Sequence, residues 1–203
     1  MNSVEIIHHF IDPNEALYQV VYLHSRAVAD FALRLADRHP QWPIDRALLE
    51  DAALLHDVGV VRVDAPSIHC FGSEPYIRHG VLGAAMLREL ASDVAAHLED
   101  DAAARLDGDA TRLVARLEAC ARVCERHTGT GLTIRAIEEG GLPLPKQDLS
   151  PQTLEEELIC FADKFFSKTH LDQERTPQQA RAKLEKFGQE SLDRFDNWCE
   201  RFL

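Results

Sequence analysis

The chain has 203 residues, 45% of them hydrophobic and 28% charged, and a formal net charge of −12 from 22 basic and 34 acidic residues. That length suits one domain with a real core, and the composition is not that of a disordered chain. The acidic balance lacks the basic footprint of a nucleic-acid binder and argues against a nucleic-acid polymer as partner, without excluding a small anion held by a metal.

The N-terminus, MNSVEIIHHF, has no basic region followed by a long apolar run, and no 18-residue apolar stretch occurs. Neither a signal peptide nor a spanning helix is expected, and no membrane partner. The five cysteines form no CxxC pair, which fits free thiols and a reducing cytoplasm.

The remaining elements read as helix after helix. Asp12-Pro13 looks like a helix start, and Leu17, Val21, His24, Val28, Phe31 and Leu35 follow at helical spacing. HPQWP (39–43) stops that helix. A second is expected over 44–57, with Leu48, Leu49, Ala52 and Leu55 inward. Residues 59–78, with Pro66, Gly72 and Pro75, read as a long loop. A helix over 79–98 carries Leu82, Met86 and Leu90. LEDDAAARLDGDA (98–110) reads as a solvated connection. The next helix, 110–127, places Leu113, Leu117, Cys120, Cys124 and His127 in one stripe and ends at HTGTG, with Gly129 as its stop. After a loop over 140–151, a helix is expected over 154–168, with Thr153 and Glu156 spaced as a capping box. Thr176, Pro177 and Gln179 open a C-terminal helix over 176–203. Its stripe of Leu184, Phe187, Leu192, Phe195, Trp198 and Phe202 suits core packing or a homodimer contact.

Several polar side chains lie inside these stripes rather than opposite them. His24 and His127 continue apolar faces, and Asp163 sits between Ile159 and Phe166. His56 and Asp57 follow a leucine and alanine run, and His79 opens the 79–98 helix. A lone inward histidine is usually a hydrogen-bonded core residue, and a lone aspartate a cap or salt-bridge partner. Several such groups aimed inward, with few basic residues among them, point to a divalent metal held between helices.

The ordered set resembles the HD-domain metal-dependent phosphohydrolases over roughly residues 15–170. It comprises His24 in YLHSRAVADFALRLA, His56-Asp57 in ALLHDVG, His79 in YIRHGVLGAAML, His127 in CERHTGTG and Asp163 in CFADKF. The resemblance is closest to a little-characterised microbial branch of small single-domain members. It implies an all-α fold with the ligands in a central cleft. His24, His56, Asp57 and Asp163 would hold one metal, with Asp57 bridging to a second held by His79 and His127. The implied cofactor is one or two divalent ions (Mn, Fe, Ni, Co, Zn or Mg), and the implied substrate a small phosphorylated molecule such as a nucleotide.

Two departures stand out. Many relatives have lysine directly after the glycine of HDxG, where this chain has Val60, so a phosphate contact there would fall to another residue such as Arg62. The segment 92–112 also looks longer than in close relatives. Lys164 and Arg78 are candidate catalytic cations beside Asp163 and His79, with Asp57 as the central catalytic carboxylate. Lys168 is one turn beyond Lys164, and the bland reading of these cations is a solvated surface charge. Two other readings stand beside hydrolysis: a di-iron oxygenase with much the same ligands, and a non-catalytic metal or nucleotide sensor. The Cys120, Cys124 and His127 spacing is read as core packing rather than a zinc site, because no second cysteine pair completes it. HTGTG follows a helix rather than a strand and lacks the context of a phosphate loop.

Overall fold

The structure is a computed structural model that describes residues 1–100 and 108–203, with nothing stated of the side chains of residues 98–100. It is all-α apart from one short hairpin. The helices are α1 (Ser3–Phe10), α2 (Ala16–Arg38), α3 (Arg46–Leu55), α4 (His79–Asp100), α5 (Gly108–Arg126), α6 (Ile134–Glu139), α7 (Leu154–Asp163), α8 (Pro177–Leu184) and α9 (Gln189–Phe202).

Local chemistry sets the helix ends. Asn2 and Glu5 form a capping box that starts α1, a helix not anticipated from the sequence. Asp12 does not cap α2. Its carboxylate accepts hydrogen bonds from the backbone and side-chain N–H groups of Asn14 in a turn, and the helix begins four residues later. Asp45 caps α3 through the Leu48 amide. Thr153 caps α7 through the Glu156 amide, but the Glu156 carboxylate turns to the amide of Gln152 rather than completing the box. The full box at Thr176 and Gln179 starts α8 as expected.

Three expectations are corrected. The 59–78 stretch is not featureless: β1 (Asp64–Ala65) pairs with β2 (Cys70–Phe71), with three 3₁₀ turns around them. The 154–168 helix stops at Asp163, and the chain turns through Lys164–Lys168. The C-terminal helix is broken at Gly188, whose φ of +84° suits glycine, so that α8 and α9 are separate. The expected connection at 98–110 lies largely outside the described residues. Its edges are helical, since α4 runs to Asp100 and α5 begins at Gly108.

The core is layered around α7. Phe161 and Phe165 meet Phe31 of α2 and Phe195 and Phe202 of α9, with ring centroids 4.8–6.1 Å apart. The C-terminal stripe is therefore covered within the chain itself: Phe195 and Phe202 are fully buried and Trp198 is 4% exposed. Burying each such aromatic is worth about 2–3 kcal/mol. Ion pairs tie the helices at their margins. Arg88 of α4 bonds Glu118 and Glu125 of α5, and Arg126 of α5 bonds the buried Glu156 of α7.

Candidate metal centre

Five of the six sequence-predicted ligands lie at helix ends. His56 caps α3 at its C-terminus and Asp57 follows it. His79 is the first residue of α4, His127 follows α5, and Asp163 is the last residue of α7. Only His24 sits in a helix interior, near the middle of α2. The ends are pulled together by two glycines. A Cβ on Gly59 would lie 2.1 Å from the His79 carbonyl oxygen and 2.3 Å from the Gly83 nitrogen, and a Cβ on Gly80 would lie 2.4 Å from the Cys124 carbonyl oxygen. Backbone approach at these two points brings Asp57, His79 and His127 to one place.

Asp57 is fully buried at the centre. Its Oδ2 faces His56 Nε2 at 3.0 Å and His24 Nε2 at 3.2 Å. Its Oδ1 faces His79 Nε2 and His127 Nε2, each at 3.5 Å. Asp163 Oδ1 closes the first group, 3.0 Å from His24 Nε2 and 3.6 Å from His56 Nε2. The donor atoms thus form two sets that share Asp57: His24, His56, Asp57 and Asp163, and Asp57, His79 and His127.

Three histidines are oriented alike. His56, His79 and His127 each donate Nδ1–H to the carbonyl three residues before, at 2.6, 2.7 and 2.7 Å. This bond fixes the tautomer and leaves Nε2 with a lone pair aimed inward, the arrangement of a metal-ligating imidazole. His24 has no such anchor, and its Nδ1 is buried without a partner.

The residues fit a divalent cation on these observations. His79 Nε2 and His127 Nε2 face each other at 2.9 Å with both lone pairs inward, a repulsive contact unless a cation lies beside it. Neither Asp57 oxygen accepts a hydrogen bond of good geometry despite complete burial. Ligand atoms about 2.1 Å from a shared ion stand about 3.0–3.4 Å apart, close to the separations seen here. The mixed imidazole and carboxylate set suits zinc, manganese, iron, cobalt or nickel.

Electrostatics agree. Burial favours the neutral ring at His79, pushing it down to about 3 with His127 adding to the effect, and burial likewise lowers His127. Burial would raise Asp57, but His56 and Lys168 outweigh it and hold the carboxyl well below its ordinary range. Burial would also raise Asp163, and Lys164 and His24 outweigh it there. At His56 burial again favours the neutral ring, yet Asp57 and Asp163 raise it to about 9. The cluster is electron-rich and draws positive charge, as a proton on His56 or as a metal that displaces it.

A cavity of about 640 Å³ opens beside the cluster, with His24, His79, His127 and Asp163 in its wall. The two candidate lysines are both largely buried rather than solvated. Lys164 Nζ lies 2.7 Å from Asp163 Oδ2 and donates to the His127 carbonyl at 2.9 Å. Lys168 Nζ lies 2.6 Å from Asp57 Oδ2, because the turn after α7 folds it back into the cleft. The structure does not bring Arg78 to this cavity. Its guanidinium pairs instead with Glu74 at 3.1 Å, and it is absent from the cavity wall. Arg62 is exposed and also lies outside the cavity wall. Sequence reasoning missed Tyr76, whose ring stacks on His79 at 4.8 Å, and the cavity-lining Arg175, Lys183 and Lys186. Tyr76 lies only three residues from His79, the spacing at which its carbonyl anchors the ring. The three cations carry no comparable local signal.

Residues 21–167 match the HD domain family. The chain is 33% identical over 148 residues to an uncharacterised protein of Methanocaldococcus jannaschii, covering 72% of this chain and 66% of that one. It is 27% identical over 175 residues to a tRNA (cytidine(56)-2'-O)-methyltransferase of Picrophilus torridus, covering 82% of this chain and 40% of the relative. The chain thus spans less than two thirds of either relative. No solved structure matches it.

Proposed function

Because the chain belongs to the HD domain family, we propose that it is a metal-dependent phosphohydrolase acting on a small phosphorylated molecule. The observation that carries this reading is the pair of donor sets sharing one buried carboxylate, Asp57, beside a cation-lined cavity whose wall includes His24, His79, His127 and Asp163. His24, His56, Asp57 and Asp163 would hold one ion, and Asp57, His79 and His127 a second. Bound divalent ions supply Lewis acidity, which activates water near neutral pH and draws charge from a phosphoryl group.

The chain's own residues do the rest. Nδ1 anchors hold the histidine rings so that Nε2 points inward before substrate arrives. An ammonium has three N–H bonds. Lys164 uses two, on Asp163 and the His127 carbonyl, and Lys168 forms an ion pair with Asp57 while lying over Tyr76. Each keeps a donor for an anionic oxygen, where it offsets charge that builds on the leaving group. The methyl-transfer activity named for the Picrophilus protein is not carried over, since the chain covers 40% of it.

The test is elemental analysis of untagged protein purified without added metal, followed by a phosphoester screen with and without oxygen. About two Mn, Co, Ni or Zn per chain with hydrolysis supports the reading. Iron with oxygen-dependent turnover replaces it by oxygenase chemistry. Persistent absence of metal after ions are offered back removes it.

A further inference from the structure

We propose that the cavity contains a second anion subsite, formed by Lys183 and Lys186, and that the substrate carries a second anionic group, a carboxylate or a further phosphate. This rests on the phosphohydrolase reading and narrows its substrate class.

The argument starts from charge. In a chain with 34 acidic and 22 basic residues, the cavity wall holds five cations, Lys164, Lys168, Arg175, Lys183 and Lys186, and one carboxylate, Asp163. Lys164 and Lys168 are matched by Asp163 and Asp57. Arg175 donates from Nη1 to the carbonyls of Lys164 and Phe166, which holds the turn after α7 in place and commits part of its guanidinium. Lys183 and Lys186 remain. Among the described residues neither has a carboxylate within ion-pair distance, and Lys186 only lies over the Phe187 ring at 5.0 Å. Arg181, on the same helix but turned to α9, does have its carboxylate, Asp196 at 2.8 Å. Arg181, which serves the fold, is paired, whereas the exposed Lys183 and Lys186 at the cavity have no carboxylate partner among the described residues. The helix dipole accounts for a cation in the last turn of α8, and Arg181 and Lys183 both lie there. It does not account for Lys186, which follows the helix in a 3₁₀ turn.

Shape points the same way. About 640 Å³ falls within the range of pockets that take whole small molecules rather than a bare phosphate. Apolar side chains, Ile77, Phe166, Leu184 and Phe187, share the wall with the two cationic groups. A ligand with an apolar or aromatic middle and an anion at each end matches that wall.

Calorimetry on the full chain with Mn²⁺ present tests this without requiring turnover. The probes are alkylphosphonates of three to eight carbons and their counterparts ending in a carboxylate or a second phosphonate. At the length that spans the cavity, the distal anion should tighten binding at least tenfold, and the better distal group tells carboxylate from phosphate. In the Lys183→Gln/Lys186→Gln double variant, the two-ended and one-ended ligands should bind alike, with the thermal midpoint checking the fold. No gain at any length, or a gain that survives the double substitution, overturns the subsite. Hydrolysis of phosphoesters without the gain overturns the subsite and leaves the phosphohydrolase reading. The gain without hydrolysis of any phosphoester does the reverse, and failure of every phosphonate to bind overturns both.

Discussion

At Asp57 one side chain faces both donor sets, Oδ2 toward His24 and His56 and Oδ1 toward His79 and His127. Asp57→Ala should therefore lose metal from both sets and lower turnover by at least about 100-fold, since even partners one step removed from a metal typically cost 10–100-fold. Metal counts by elemental analysis, beside rates, check this, and a variant with two ions and normal turnover would contradict the shared-carboxylate assignment. The His127 donor nitrogen faces Asp57 through Oδ1 and belongs to the second set. His127→Ala should retain about one ion per chain and lose most activity. Two ions in that variant would mean the second set is wrongly composed. All six inward residues were legible in the sequence, His24, His127 and Asp163 because helical periodicity places them on apolar stripes where a polar group must be compensated, and His56, Asp57 and His79 through their place beside apolar runs and the resemblance to the HD-domain family. Lys168 was not. It meets Asp57 across a separation of 111 residues, through a turn that breaks the helical face it seemed to share with Lys164.

Between elements, the site depends on how closely helix ends approach. Gly59→Ala would drive a methyl group into the backbone of His79 and Gly83. The start of α4 must then move away from Asp57. A stability loss of about 1–3 kcal/mol is expected, together with weaker metal binding, measured by urea denaturation and by metal titration. Unaltered affinity would show that this contact does not position His79. Arg126 illustrates a contact that serves the fold alone. It holds Glu156, which is 3% exposed, between α5 and α7, with Arg122 a weaker second partner at 3.6 Å. Arg126→Ala should cost about 2–3 kcal/mol by leaving a buried carboxylate underpaired, and Arg126→Met with Glu156→Leu should recover most of it. A wild-type urea midpoint in Arg126→Ala would sink that account. The sequence was weaker at this scale. The long helices carried clear periodicity, but α6 spans only six residues, and the hairpin strands only two each, too short for any period to register. Gly188 lay inside a continuous apolar stripe, which hid the break between α8 and α9.

Across the whole molecule, the thiols make stability depend on pH. Cys120, Cys124 and Cys160 are buried in the core shared by α5 and α7, and none is disulfide-bonded. Burial pushes Cys120 and Cys160 up to about 12 and raises Cys124 well above its ordinary value. In the unfolded chain the same thiols ionise near 8.5. A group whose folded pKa is raised contributes stability that is complete below the unfolded pKa and is lost as pH climbs toward the folded one. The window is therefore alkaline, from about pH 9 upward, with a slope on the order of 1 kcal/mol per pH unit for each thiol. Lys164 and Lys168 are also raised, with the same sign, but their loss begins only above the ordinary lysine value of about 10.4. Between pH 9 and 10 the thiols should dominate. Urea midpoints at pH 8, 9 and 10 should fall steadily in the wild-type chain and less steeply in Cys120→Ala, whose baseline is lower but whose dependence lacks one thiol. Equal slopes in the two chains would mean that thiol burial is not what limits the fold in alkali.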